Sequence, residues 1–247
     1  MPANPTHSGL TSQGWNWSLA DAKTYVTANG KLTIGQSYIT NDGKNRFYVT
    51  IPADDLDFRI RWYQSKANGV ELDWGDGSAK VTVSGTNNVA FQTHTYSSAG
   101  TYCITLEKKD GNLGFIPPFA GTTSGGGSSY QNHRCTKIEL GNFTSFNNYC
   151  FQYLDNLESI TIPYGQATTI ASAPLASCFR LKALVIPSGF TKVQNTYLMW
   201  SDCRSIRFVS LPKSITSNMS GNTPSAIGLI RIEIPPDVQE VVLSDMN

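Results

Sequence analysis

Four short segments in the C-terminal half repeat one pattern: an apolar residue, two others, an apolar residue, one other, an apolar residue, then proline. They are Leu157-Ile160-Ile162-Pro163, Leu181-Leu184-Ile186-Pro187, Ile206-Val209-Leu211-Pro212 and Leu229-Ile232-Ile234-Pro235. A copy without the proline, Cys135-Ile138-Leu140-Gly141, precedes them. The last apolar positions (140, 162, 186, 211, 234) are spaced by 22, 24, 25 and 23 residues. A fixed period of this size marks units that each cover a neighbour's apolar face and stack into a solenoid.

Within each unit the two closely spaced apolar residues predict a short strand with both side chains inward. Proline has no N–H to donate, so it ends ladder pairing. The residues between must face outward from a parallel sheet. One outward row is then Lys137, Ser159, Ala183, Phe208 and Arg231, and the next is Glu139, Thr161, Val185, Ser210 and Glu233. Both rows are charged at their ends and apolar in the middle, at Ala183, Val185 and Phe208. An apolar patch on such a face marks an interaction site, with an aromatic as the usual anchor. The candidate ligand-binding residues are therefore Phe208, Val185, Ala183, Ser210, Thr161, Ser159, Arg231 and Glu233. The alternative is that Phe208 is covered by the N-terminal segment, by the preceding domain or by the loop around residue 118. Tyr164 and Tyr197 offer aromatic rings on the loop side.

Ahead of the repeats the period changes to two. Residues 46–51, 58–63, 69–74, 79–85, 89–96 and 101–107 read as strands rich in β-branched and aromatic residues. Six short strands at close spacing predict a β-sandwich. The expected division is an extended N-terminal segment over 1–45, a sandwich over 46–110, a Gly/Ser-rich linker or loop over 111–134 and the solenoid over 135–247. Within the first segment only residues 19–26 suggest a short helix, and Trp15 or Trp17 is expected to order the rest. Residues 238–243 are expected as a closing strand.

Charged residues make up 15% of the chain and the net charge is +1, against roughly a quarter charged in ordinary soluble domains. Phosphate binding scales with the cations a protein supplies, so no nucleic-acid partner is expected. No apolar run approaches the ~20 residues that span a bilayer, so no membrane insertion is expected. The first residues show neither a basic nor an apolar region and do not read as a signal peptide.

Two stretches carry family resemblances. Val70-Glu71-Leu72-Asp73-Trp74-Gly75-Asp76-Gly77-Ser78, then His94-Thr95-Tyr96 and Gly100-Thr101-Tyr102, resembles a PKD-type domain, although the dipeptide that family places between Trp and Gly is absent here. The resemblance implies an immunoglobulin-like sandwich used as an extracellular spacer or recognition module. Gly75 and Gly77 suit positive φ in the turn, and Asp76 suits bonding to its amides. Asp73 and Asp76 are the only residues there that suggest Ca²⁺, a cation of loop oxygens; no other cofactor is indicated.

The repeats resemble the BspA-like leucine-rich repeat family, through Phe151-Leu154-Leu157, Leu175-Cys178-Leu181 and Trp200-Cys203-Ile206. That resemblance implies bacterial surface or secreted proteins that adhere to a protein or glycan at a cell surface. The two modules together also look like tail-associated recognition factors carried by prophages. The fold class expected is mainly β, a sandwich followed by a short solenoid with a parallel sheet.

Chemistry is not in evidence. The five cysteines include no C-x-x-C pair and read as core residues. His133 next to Cys135 lacks partners for a zinc site. Asp54, Asp55 and Asp57 read as turn acids. The expectation is a non-enzymatic recognition module outside the cell, or else a structural component of a larger assembly.

Overall fold

The computed structural model describes residues 1–119, 130–164, 169–170, 174–190, 192–193, 202–214 and 231–233. Tyr197, Leu229, Ile234, the expected strand at 238–243 and most of the Gly/Ser-rich tract lie outside the described residues, as do the side chains at 231–233. The fold is mainly β, with one α-helix among the described residues.

One six-stranded sheet crosses from the period-two region into the repeats. Its order is Ser159–Thr161, Cys135–Glu139, Asn45–Ile51, Gly100–Lys108, Val70–Asp73 and Val81–Thr82. The strand Asn45–Ile51 pairs antiparallel with Gly100–Lys108 on one side and with the first repeat strand on the other. A second sheet does the same. Leu113–Phe115 pairs antiparallel with Tyr63–Gln64 and parallel with Ser145–Phe146 of the first repeat. Both sheets therefore continue into the stack.

Alternation explains which side chains fill the space between them. Phe47, Val49 and Ile51 are buried, while Arg46, Tyr48 and Thr50 point away. Phe47 is where the regions meet. Its ring lies 6.0 Å from Phe115, 6.1 Å from Phe119 and 6.2 Å from Phe151, which belong to the expected linker and the second repeat. Each such ring contributes roughly 1.5–3 kcal/mol when buried. Asn45 supplies the polar join. It is fully buried, donating from Nδ2 to Leu106 O (3.1 Å) and Asn142 O (3.0 Å) and accepting from Gly141 N (2.9 Å).

In the repeats, the inward residues Ile138, Leu140, Leu157, Ile160, Ile162, Leu181, Leu184, Ile186, Ile206, Val209 and Leu211 are all buried. Ala183–Val185, Phe208–Ser210 and Arg231–Glu233 form a separate parallel ladder. It joins the six-stranded sheet through a bond from Lys182 N to Glu158 O (3.3 Å).

The N-terminal residues differ from the extended lead-in that their polar composition suggests. Leu10–Trp15 and Gln36–Thr40 pair as an antiparallel hairpin. Between them runs a helix, Leu19–Asn29, capped by the Ser18 hydroxyl, which accepts from Asp21 N at 3.0 Å. This arm lies across the outer face of the repeats. The β-forming residues Tyr38, Ile39 and Thr40 are the local signal for its second strand.

Candidate functional site

The outer face of the repeats is built by register. Lys137 stands opposite Ser159 and Glu139 opposite Thr161. Further along, Ala183 stands opposite Phe208 and Val185 opposite Ser210, and these in turn oppose Arg231 and Glu233. The two rows are thus brought together in space. Their accessibility is not uniform: Ser159 and Ala183 are exposed, whereas Thr161, Val185 and Phe208 are half-buried.

Ser210 is fully buried, which corrects its expected place on an open surface. The N-terminal arm is the cause. The Asn16 side chain donates to Ser210 Oγ (2.8 Å) and to Ile186 O (3.2 Å), and it accepts from Gly35 N (2.9 Å). Ser210 Oγ in turn donates to Thr33 O at 3.3 Å. Trp17 Nε1 donates to Leu211 O at 2.9 Å, and Lys213 pairs with Asp21 at 2.8 Å. A Cβ on Gly35 would sit 2.5 Å from Val185 Cγ1, so only glycine permits this approach.

Where the arm lifts away from the sheet it leaves a groove of about 340 Å³. Gln36 and Tyr38 of the second arm strand form one wall, with His7 and Leu10 beside them. Ser159, Thr161, Ala183 and Val185 form the floor, and Lys137, Glu158 and Lys182 the rim. Four of the eight predicted residues therefore share one cavity. The arm residues carry no repeat signature, and sequence reasoning did not place them here.

The rim is charge-balanced. Lys182 pairs with Glu158, holding that carboxyl below its ordinary range, and Lys137 pairs with Glu139 at 2.6 Å. Glu139 also accepts from the Tyr48 hydroxyl at 2.9 Å. In the wall, the Tyr38 hydroxyl donates to Gln36 Oε1 (2.8 Å), and His7 packs edge-on against its ring at 4.8 Å. Burial pushes the Tyr38 phenol upward. In the floor, the Thr161 hydroxyl is buried with no hydrogen-bond partner.

The other residues singled out by sequence take structural places. Gly75 and Gly77 adopt φ of 80° and 85°. Asp73 Oδ1 accepts from Gly75 N (2.9 Å) and Asp76 Oδ1 from Ser78 N (3.0 Å). Asp76 Oδ2 lies 2.6 Å from His94 Nε2, and the His94 ring stacks on Trp74 at 4.9 Å. Burial opposes ionisation of Asp76, but bonds from Ser78 and His94 outweigh it and hold its carboxyl down at about 2. Asp55 pairs with Arg134, and Thr95 donates to Asp57 Oδ1 at 2.5 Å. The Tyr164 hydroxyl donates to Trp15 O at 2.5 Å, so this tyrosine is held by the arm.

All five cysteines are free thiols, and burial raises Cys135, Cys150 and Cys178 well above the ordinary thiol range. Cys178 Sγ donates to Phe151 O and Cys203 Sγ to Leu175 O, both at 3.2 Å, each tying one unit to the last. Among the described residues no three His, Cys, Asp or Glu side chains gather as a metal site requires, and no helix is long and apolar enough to cross a membrane.

A stack of units of this period, with parallel outer strands and a buried thiol at a fixed offset, has a counterpart in known families. Residues 123–243 match the BspA type leucine rich repeat region, in six copies. No curated protein and no solved structure matches the chain. The BspA-type region covers every repeat recognised by spacing and one copy more. It also includes the whole floor of the groove.

Proposed function

We propose that this chain is a non-enzymatic recognition protein, acting at a cell surface or outside the cell, which holds a protein or glycan partner against its BspA-type repeats. The observation that carries this reading is the groove between the N-terminal arm and the repeat face. It combines a floor on which Ser159 and Ala183 are exposed, an aromatic wall and a charge-balanced rim. Binding sites of this kind are concave, largely preformed and lined by a few placed polar groups. The family is often found in surface adhesin-like proteins, which supports the same reading.

The finer fold reading belongs to the same proposal. Residues 46–110 are taken as an immunoglobulin-like sandwich of PKD type, supported by the Trp74–Gly77 turn with His94 stacked on Trp74. The repeats are taken as a short solenoid, supported by their parallel ladders.

A second reading is a structural component of a larger assembly, as a prophage tail would need. It is favoured by the sheets that run unbroken from one region to the other, which suit a stiff spacer. The deciding experiment is retention of the purified chain on intact bacterial cells, mucins and matrix proteins, alongside Ala183→Glu. The recognition reading expects parent binding that falls at least about tenfold in this variant at unchanged Tm, a loss of roughly 1.4 kcal/mol. Absence of binding by the parent to every surface, with a stable oligomer in solution, establishes the scaffold instead.

A further inference from the structure

The chemistry of the groove restricts what it takes. Its volume of about 340 Å³ lies at the small end for ligand sites. That suits one or two rings rather than a folded epitope. Its floor is the outer face where Ser159–Thr161 and Ala183–Val185, the edge strands of two sheets, lie side by side, joined by the bond from Lys182 N to Glu158 O. An extended peptide added by strand pairing needs an open strand edge, and here the two edges face each other across the Lys182–Glu158 backbone bond.

The rim excludes a second class. Each ammonium there already carries a carboxylate, Lys182 with Glu158 and Lys137 with Glu139. A phosphate, sulfate or carboxylate ligand would have to break these pairs and face Glu158. Yet each pair keeps capacity to spare, since an ammonium has three donors and a carboxylate about four acceptor positions. A group that donates and accepts at once fits such a rim, and that group is a hydroxyl. The floor adds the exposed Ser159 hydroxyl, while the Thr161 hydroxyl lies buried beneath it without a partner. Ala183 leaves room for a flat ring to approach the sheet. Tyr38, steadied by Gln36 and His7, offers an apolar wall to the C–H face of a sugar.

We propose that this groove binds an uncharged carbohydrate, one or two sugar rings lying over Ser159 and Ala183 against Tyr38, with hydroxyls bridging the Lys182–Glu158 pair and Lys137. The proposal rests on the recognition reading above and names its ligand class.

The test applies the full chain to an array of neutral, sialylated and sulfated oligosaccharides, and separately to intact cells. The best neutral hit is then titrated by calorimetry against the parent, Ala183→Lys and Lys66→Ala. Ala183 is exposed, so lysine there fills the groove without touching the core. Neutral oligosaccharides are expected to bind, with affinity at least tenfold weaker in Ala183→Lys and unchanged in Lys66→Ala, a residue ion-paired to Asp110 outside the groove. Binding confined to sialylated or sulfated probes overturns the uncharged ligand. Neutral binding that Ala183→Lys leaves intact overturns the site. Retention on cells without any glycan binding overturns the carbohydrate while recognition stands, and failure on both cells and glycans removes recognition as well.

Discussion

Asp76 shows how a single residue of the turn holds its region together. Its carboxylate joins three pieces of chain: the Ser78 amide, the His94 ring and, through that ring, the indole of Trp74. With its pKa at about 2 in the folded protein and near 3.8 in an unfolded chain, ionised Asp76 favours the fold. That contribution is fully present above about pH 4 and is lost as pH falls towards 2. After allowance for solvent screening it amounts to roughly 1–2 kcal/mol. Urea denaturation between pH 5 and pH 2 should show stability falling across that window, and Asp76→Asn should flatten the fall. An unchanged slope in the variant would remove Asp76 from this role.

The N-terminal arm and the repeat strands meet at the scale of elements, through bonds rather than through a broad apolar contact. Asn16 is the central tie, because its one amide satisfies Ile186 O, Ser210 Oγ and Gly35 N. Asn16→Ala removes the side-chain partner of the buried Ile186 O and Gly35 N, while Ser210 Oγ keeps its bond to Thr33 O. Each buried orphan costs about 1–3 kcal/mol, so the loss should reach about 2–4 kcal/mol. Hydrogen exchange should localise it to residues 10–40, with the arm opening before the sheets. Gly35→Ala should act in the same direction, since its methyl meets Val185 at 2.5 Å. The element boundaries were legible where packing is periodic. The spacing Leu157-Ile160-Ile162 announces Ser159–Thr161 directly. By contrast, the expected strand 79–85 shrinks to Val81–Thr82, an edge strand paired on one side only.

For the whole molecule the decisive feature is that the two sheets and the core cross the Gly/Ser-rich tract. Phe47, Phe119 and Phe151 pack into one cluster although composition assigns them to three different segments. Unfolding the period-two region would expose Asn45–Ile51 and strip the first repeat of its neighbour. Calorimetry should therefore record one cooperative transition with a van't Hoff to calorimetric ratio near about 1. Two resolved transitions would show that the regions are energetically independent.

What the sequence by itself determined was everything that depends on local periodicity. The inward set of the described repeats, the two outward rows and their register follow from side chains alternating along a strand, which any neighbour-free reading captures. Only the tertiary structure decided which outward residues remain open. Ser210 is sealed by Asn16, 194 positions away, and Thr161 ends in a groove walled by Tyr38. Such contacts are made by isolated polar residues with no period of their own. Their effect arises when a distant backbone brings a donor to an acceptor, and no local pattern encodes that meeting.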